Sequence, residues 1–167
     1  MSHVRRSILA VLSAPLLLAA LLVTVAAPST AVPGTGSSVF INEIHYDNTG
    51  ADAGEAIEIG GPAGTDVNGW ELALYNGSSS QRSVYQTTSI DGVIPDQQAG
   101  FGTLHFEYPS DGIQNGAPDG FALVDPGGNV IEFLSYEGSF TAIDGAAAGT
   151  TSTDIGVSES SSTPVGA

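Results

Sequence analysis

The chain has 167 residues, with no cysteine, no lysine and three arginines against 18 acidic side chains, for a formal net charge of −15. That length suits one domain rather than two. The charge argues against direct nucleic-acid binding, which needs several Lys or Arg to neutralise phosphates, unless divalent cations bridge. The missing thiols exclude disulfides and thiolate zinc sites.

The chain opens with Arg5-Arg6, an apolar run over residues 8–27, and the small-residue stretch Pro28-Ser29-Thr30-Ala31. This is the three-part layout of a secretory signal peptide, and cleavage is expected after Ala31. The expectation is therefore a secreted, extracellular protein with no membrane attachment after cleavage. The arginine pair leaves both general secretory and twin-arginine export open. An uncleaved anchor is the alternative, since the apolar run is long enough to span a bilayer. With Arg5 and Arg6 removed, Arg82 alone faces all 18 acidic residues, a net charge of −17. Such a surface repels polyanions.

Residues 32–38 are rich in Pro, Gly and Ser and read as a flexible linker. Strand signals then recur over 39–46, 55–59, 70–75, 83–88, 102–108, 120–124 and 130–136, each bounded by Gly, Pro, Asn or Asp. Val124-Asp125-Pro126-Gly127-Gly128-Asn129-Val130 reads as a hairpin, because Gly supplies the positive φ that such turns need. No helical periodicity is sustained after residue 31, and 22 Gly and 9 Pro make long helices costly. The fold class is all-β. Residues 39–160 form the domain, and 161–167 read as a polar tail.

Three blocks carry a family resemblance. Val39-Phe40-Ile41-Asn42-Glu43-Ile44 resembles the opening strand of bacterial lamin tail domains. Gly54-Glu55-Ala56-Ile57-Glu58-Ile59 is similar to their E-x-I-E-I/L strand, and Val67-Asn68-Gly69-Trp70-Glu71-Leu72 to their L-x-G-W-x-L strand. Ile94-Pro95-Asp96, the stretch from Gly112 to Gly120, and Leu134-Ser135-Tyr136-Glu137-Gly138 resemble the subgroup found N-terminal in secreted bacterial nucleases. The resemblance implies an immunoglobulin-like β-sandwich. It also implies an accessory module, partnered by an appended endonuclease/exonuclease/phosphatase-type catalytic domain or another extracellular protein. The resemblance would place a closing strand after Thr163-Pro164 and a catalytic domain beyond Ala167. The expectation is thus a fragment of a longer nuclease or a domain with an incomplete sheet.

Four sets of residues bear on chemistry. Glu43, His45 and Asp47 alternate along the first strand and so share a face. Such a set could hold a metal and activate water in a small hydrolase, though Arg82 is the only cation left to assist a phosphodiester transition state. Their structural alternative is hydrogen bonding to loop backbone, and no catalytic residue is assigned. Asp47, Asp52 and Glu55 put three carboxylates on one short loop, a Ca²⁺ candidate, because hard cations collect oxygen ligands. The spacing fails the EF-hand pattern at Ala51. A calcium-stabilised adhesion module is therefore a second functional reading, set against a turn in which Asp and Asn cap their own backbone. Gly-x-Ser-x-Gly is absent, as is any lysine for a Ser-Lys pair. Most aromatics, Trp70 above all, are expected in the core rather than on a sugar-binding face.

Overall fold

The computed structural model describes residues 39–164. The signal-peptide and linker expectations, and the last residues of the tail, lie outside them. Eight strands form: β1 (Phe40–His45), β2 (Ala56–Pro62), β3 (Trp70–Asn76), β4 (Ser83–Ile90), β5 (Phe101–Glu107), β6 (Asp119–Val124), β7 (Val130–Tyr136) and β8 (Thr153–Asp154). No helix occurs among the described residues. The strands make two sheets, β1-β2-β5 and β4-β3-β6-β7-β8. All pairings are antiparallel except β7 with β8.

Side-chain alternation explains how the sheets face each other. On β2, Ile57 and Ile59 are fully buried, while Glu58 between them points away. Their row runs across the sheet as Ile44–Ile57–Phe106 and Ile41–Ile59–Leu104. A bulge between Ile41 and Glu43 lets both β1 isoleucines face inward although they are three residues apart. Opposite them, Leu72, Leu74, Phe121 and Leu123 present the inner face of the larger sheet. Tyr46 stacks on Tyr136 across the gap at 3.9 Å and 22°, and Glu132 of β7 accepts the β1 Ile41 N–H at 2.6 Å. The two sheets close a sandwich-like core between them.

β6 is buried at every position. Its outer residues, Ala122 and Val124, join Ala73, Tyr75 and Phe133 in a second core. Phe140, Ala142 and Ala147 cover that core from the connection between β7 and β8. Phe140 meets Phe133 edge-on at 5.3 Å and 88°, and the Tyr75 hydroxyl accepts the Ala147 N–H at 3.1 Å. The larger sheet is thus covered on both faces, which is why β6 reads as a continuous apolar run.

The strand expectations hold with small shifts. β2 runs on through Gly60-Gly61-Pro62, which reads in sequence as a turn. Gly60 lies close under the Phe40 ring: a Cβ there would sit 3.0 Å from it, and the ring would have to shift by a few tenths of an ångström. The 125–129 hairpin forms as expected. Asp125 accepts N–H groups from Gly127 and Asn129 at 2.9 and 2.8 Å, and Gly128 has φ 79°. β8 carried no sequence signal, being only two residues long. Most aromatics are buried, Trp70 included, but Phe40 and Phe101 remain 40% and 56% exposed.

Ser135 on β7 is fully buried, and its hydroxyl has no hydrogen-bond partner among the described residues. An unsatisfied buried hydroxyl costs free energy. Ser135→Ala is therefore expected to raise unfolding stability by about 1 kcal/mol. Urea unfolding checks this, and a loss of stability would contradict it.

Candidate functional site

Loops 47–55 and 108–118 and the tail segment meet at one end of the sandwich. Loop 47–55 leaves β1 and enters β2, and its conformation is set by side chains bonding to backbone. Asn48 is fully buried. Its N–H donates to Asp52 at 3.1 Å, and its side-chain amide donates to the Ala53 carbonyl at 2.7 Å. Glu55 is also fully buried. Its two oxygens accept the N–H groups of Gly112 and Ile113 at 2.7 and 3.0 Å, fixing loop 108–118 against loop 47–55. Asp52 accepts from the Asn115 side chain at 3.0 Å and strengthens the same junction.

His45 ends β1 with both ring nitrogens engaged. Nδ1 lies 2.8 Å from Glu159, and Nε2 lies 3.0 Å from the Asn48 amide. Glu159 comes from the tail segment, and its other oxygen accepts the N–H groups of Tyr46 and Asp47 at 2.5 and 2.9 Å. The Glu159 N–H in turn donates to the Tyr46 hydroxyl at 2.7 Å. One carboxylate therefore ties the tail to the end of the first strand. The His45–Glu159 contact is the one ion-pair geometry among the described residues.

Beside this junction opens a cleft of about 370 Å³ lined by Asp52, Asp111, Asp119, Asn76, Gln114 and Asn115. Asp119 is 2% exposed and accepts the Gly77 and Gly116 N–H groups, each at 2.8 Å. Gln114 is held from three sides. Its N–H donates to the Tyr85 hydroxyl at 2.9 Å, its Oε1 accepts from Asn76 at 2.5 Å, and its carbonyl accepts from the Tyr136 hydroxyl. Burial pushes the Asp119 carboxyl above its ordinary range, although its two N–H donors pull the other way. Glu55 is raised for the same reason, against the pull of Gly112 and Ile113. Asp47 is raised by desolvation and then by the neighbouring Asp52.

The structure brings Asp47 and Asp52 together but turns Glu55 to the loop beyond β5. Among the described residues no three His, Asp or Glu side chains gather as a metal would require. Glu43 is exposed and sits opposite Glu58 on β2, whose other neighbour across the sheet is His105. Arg82 lies just before β4 at φ 52° with its Nε unpartnered. Sequence reasoning missed Asn48, Asp119 and Glu159. Asp119 stands in an Asp-Gly pair that reads as turn punctuation, and nothing local connects residue 159 to residue 45.

Comparison with protein-family models, with curated proteins and with solved structures found no match.

Removing the Glu55 side chain would leave the buried Ile113 N–H unpaired and the Gly112 N–H with the Pro109 carbonyl alone. Glu55→Ala is expected to cost about 1–3 kcal/mol, the penalty for an unpaired buried donor. Amide exchange at Gly112 and Ile113 should accelerate with it, and unchanged exchange there would contradict the role.

The raised carboxyls also set a pH dependence. In the folded state Glu55, Asp119 and Asp47 bind protons more readily than in the unfolded chain. Stability should therefore rise as pH falls from neutral through their raised values, and level off below the ordinary 4.5 and 3.8. Asp125 works the other way. Hydrogen bonds from the Asn129 side chain hold it low, so its contribution is lost only at still lower pH. A melting temperature that increases from neutral toward pH 5 is the expected result, read by calorimetry.

Proposed function

We propose that this chain is a secreted, non-catalytic accessory module of the lamin tail type, with an immunoglobulin-like sandwich, forming the N-terminal part of an extracellular nuclease. The observation that carries this reading is the use of the motif side chains inside the fold. The carboxylate of the Gly54-Glu55-Ala56-Ile57 block holds two backbone amides. The histidine following Ile-Asn-Glu-Ile has both nitrogens bonded. Groups so engaged position loops and would have to break free before acting on a substrate. The anionic exterior also argues for a protein partner, or an appended domain, over direct contact with DNA or RNA.

A calcium-stabilised adhesion module is the second reading, favoured by the closeness of Asp47 to Asp52, whose charge helps raise the Asp47 carboxyl. A divalent cation would relieve that repulsion. The third reading, a metal-dependent hydrolase, would need Glu43, His45 and Asp47 to turn toward one ion.

One preparation of the purified chain separates the three. It is incubated with DNA and RNA in Mg²⁺ and in Ca²⁺, then melted with and without a chelator. No hydrolysis and an unchanged melting temperature are expected. Hydrolysis that disappears in His45→Ala would overturn the accessory reading in favour of an enzyme, whereas a melting temperature that drops on chelation would favour the calcium module. An in-frame catalytic domain in the coding DNA beyond the Ala167 codon is expected for the nuclease setting.

A further inference from the structure

The chain contains three Asn-Gly dipeptides among the described residues: Asn68-Gly69, Asn76-Gly77 and Asn115-Gly116. Asn-Gly is the pair least shielded against attack by a backbone nitrogen on the preceding side chain, because glycine carries no Cβ to obstruct it. The fold treats the three very differently.

Asn68 is locked. Its amide donates to Asp66 at 2.7 Å, its Oδ1 accepts the Gly92 N–H at 2.8 Å, and the Gly69 N–H donates to the Ile90 carbonyl at 3.1 Å. A neutral carbonyl cannot take that proton. The Gly77 N–H meets the same Asp119 carboxylate as Gly116 does, at 2.8 Å, but Asn76 is held on both sides, its amide by Gln114 at 2.5 Å and its Oδ1 by the Ser78 N–H at 3.0 Å, and Gly77 is buried, so the side chain and not the base sets this site apart. Asn115 and Gly116 are both exposed. Asn115 makes one contact, from its amide to Asp52 at 3.0 Å, and its Oδ1 has no partner among the described residues. The Gly116 N–H points at the Asp119 carboxylate, 2.8 Å away.

We propose that Asn115 is a site of spontaneous self-modification, with Asp119 as the base that takes the Gly116 proton. The Gly116 nitrogen forms a bond to Asn115 Cγ as its proton passes to Asp119 Oδ2. The side-chain nitrogen then leaves as ammonia, carrying a proton away and restoring the Asp119 carboxylate. Water opens the resulting cyclic imide by breaking one of its two C–N bonds, leaving aspartate or isoaspartate at position 115. The sum is asparagine plus water giving the acid plus ammonia, with no oxidant or reductant.

Exposure and hydrogen bonding support the assignment. Asn115 is exposed and its Oδ1 has no partner among the described residues, so water can stabilise the developing oxyanion. Burial holds the Asp119 carboxyl above its ordinary range, so it is a stronger base than a surface aspartate. The product adds a negative charge to an acidic cleft and replaces the donor to Asp52 with an acceptor. Loop 108–118 would then lose one of its ties to loop 47–55. This inference does not depend on the accessory reading above.

The test is peptide mapping by mass spectrometry of the intact chain held at neutral pH, folded and in urea, with isoaspartate counted by enzymatic methylation. In the folded protein Asn115 should convert faster than Asn68 or Asn76 by a factor on the order of ten, because the locked sites react only through local opening. In urea the three rates should converge. Conversion at Asn68 or Asn76 as fast as at Asn115 in the folded chain, or none at Asn115, overturns the site. Asp119→Asn tests the base. The folded-to-unfolded rate ratio at Asn115 should fall in that variant, and a ratio that holds or rises overturns the assignment of Asp119.

Discussion

Scarcity of positive charge constrains everything else in this domain. Arg82 is the only arginine or lysine among the described residues, and His45 with Glu159 makes the one ion-pair geometry there, so salt bridges do little to order the carboxylates. They are ordered by N–H groups instead. Glu55, Asp119, Asp125, Glu132 and Glu159 each accept from backbone. An ionised acceptor makes a stronger bond than a neutral one, and a carboxylate can bridge two donors. Each of these side chains therefore fixes a turn, joins two segments or, at Glu132, ties one sheet to the other. The acidic composition, which first reads as a surface property, is also how the loops are held.

The same constraint explains the layout of the functional end. A buried carboxylate is tolerated where at least two donors face it, as at Glu55 and Asp119. Loops 47–55 and 108–118 meet because Glu55 accepts the Gly112 and Ile113 amides, and the tail joins them because Glu159 accepts those of Tyr46 and Asp47. The cleft beside them is a consequence of that meeting. Its walls are amides and carboxylates fixed from behind by Tyr85 and Tyr136.

The fold was more legible in the sequence than the site. Strands such as β7 can be read from their β-branched and aromatic content between turn residues, although burial on both faces leaves no clean alternation in them. β2 escaped at its end, since Gly60-Gly61-Pro62 carries turn residues and is strand through its pairing with β5 at Thr103, Gly102 and Phe101. β8 escaped because two residues carry no pattern. At the site, residues close in sequence were visible as candidates, and Asp47 and Asp52 do meet. What could not be read was direction. Glu55 turns to Gly112, and His45 meets a glutamate 114 residues away, and both choices are made by tertiary closure.

The position of Glu132 and Glu159 has a consequence for behaviour in a crowded solution. β1 borders its sheet, and a bordering strand offers amides on which a stranger chain could begin to polymerise. Here the Ile41 amide is occupied by Glu132, and those of Tyr46 and Asp47, just past the strand, by Glu159. Any intruder must first evict a carboxylate from its own donors. The molecule thereby guards an open flank against amyloid-like growth with side chains it already needs for closure.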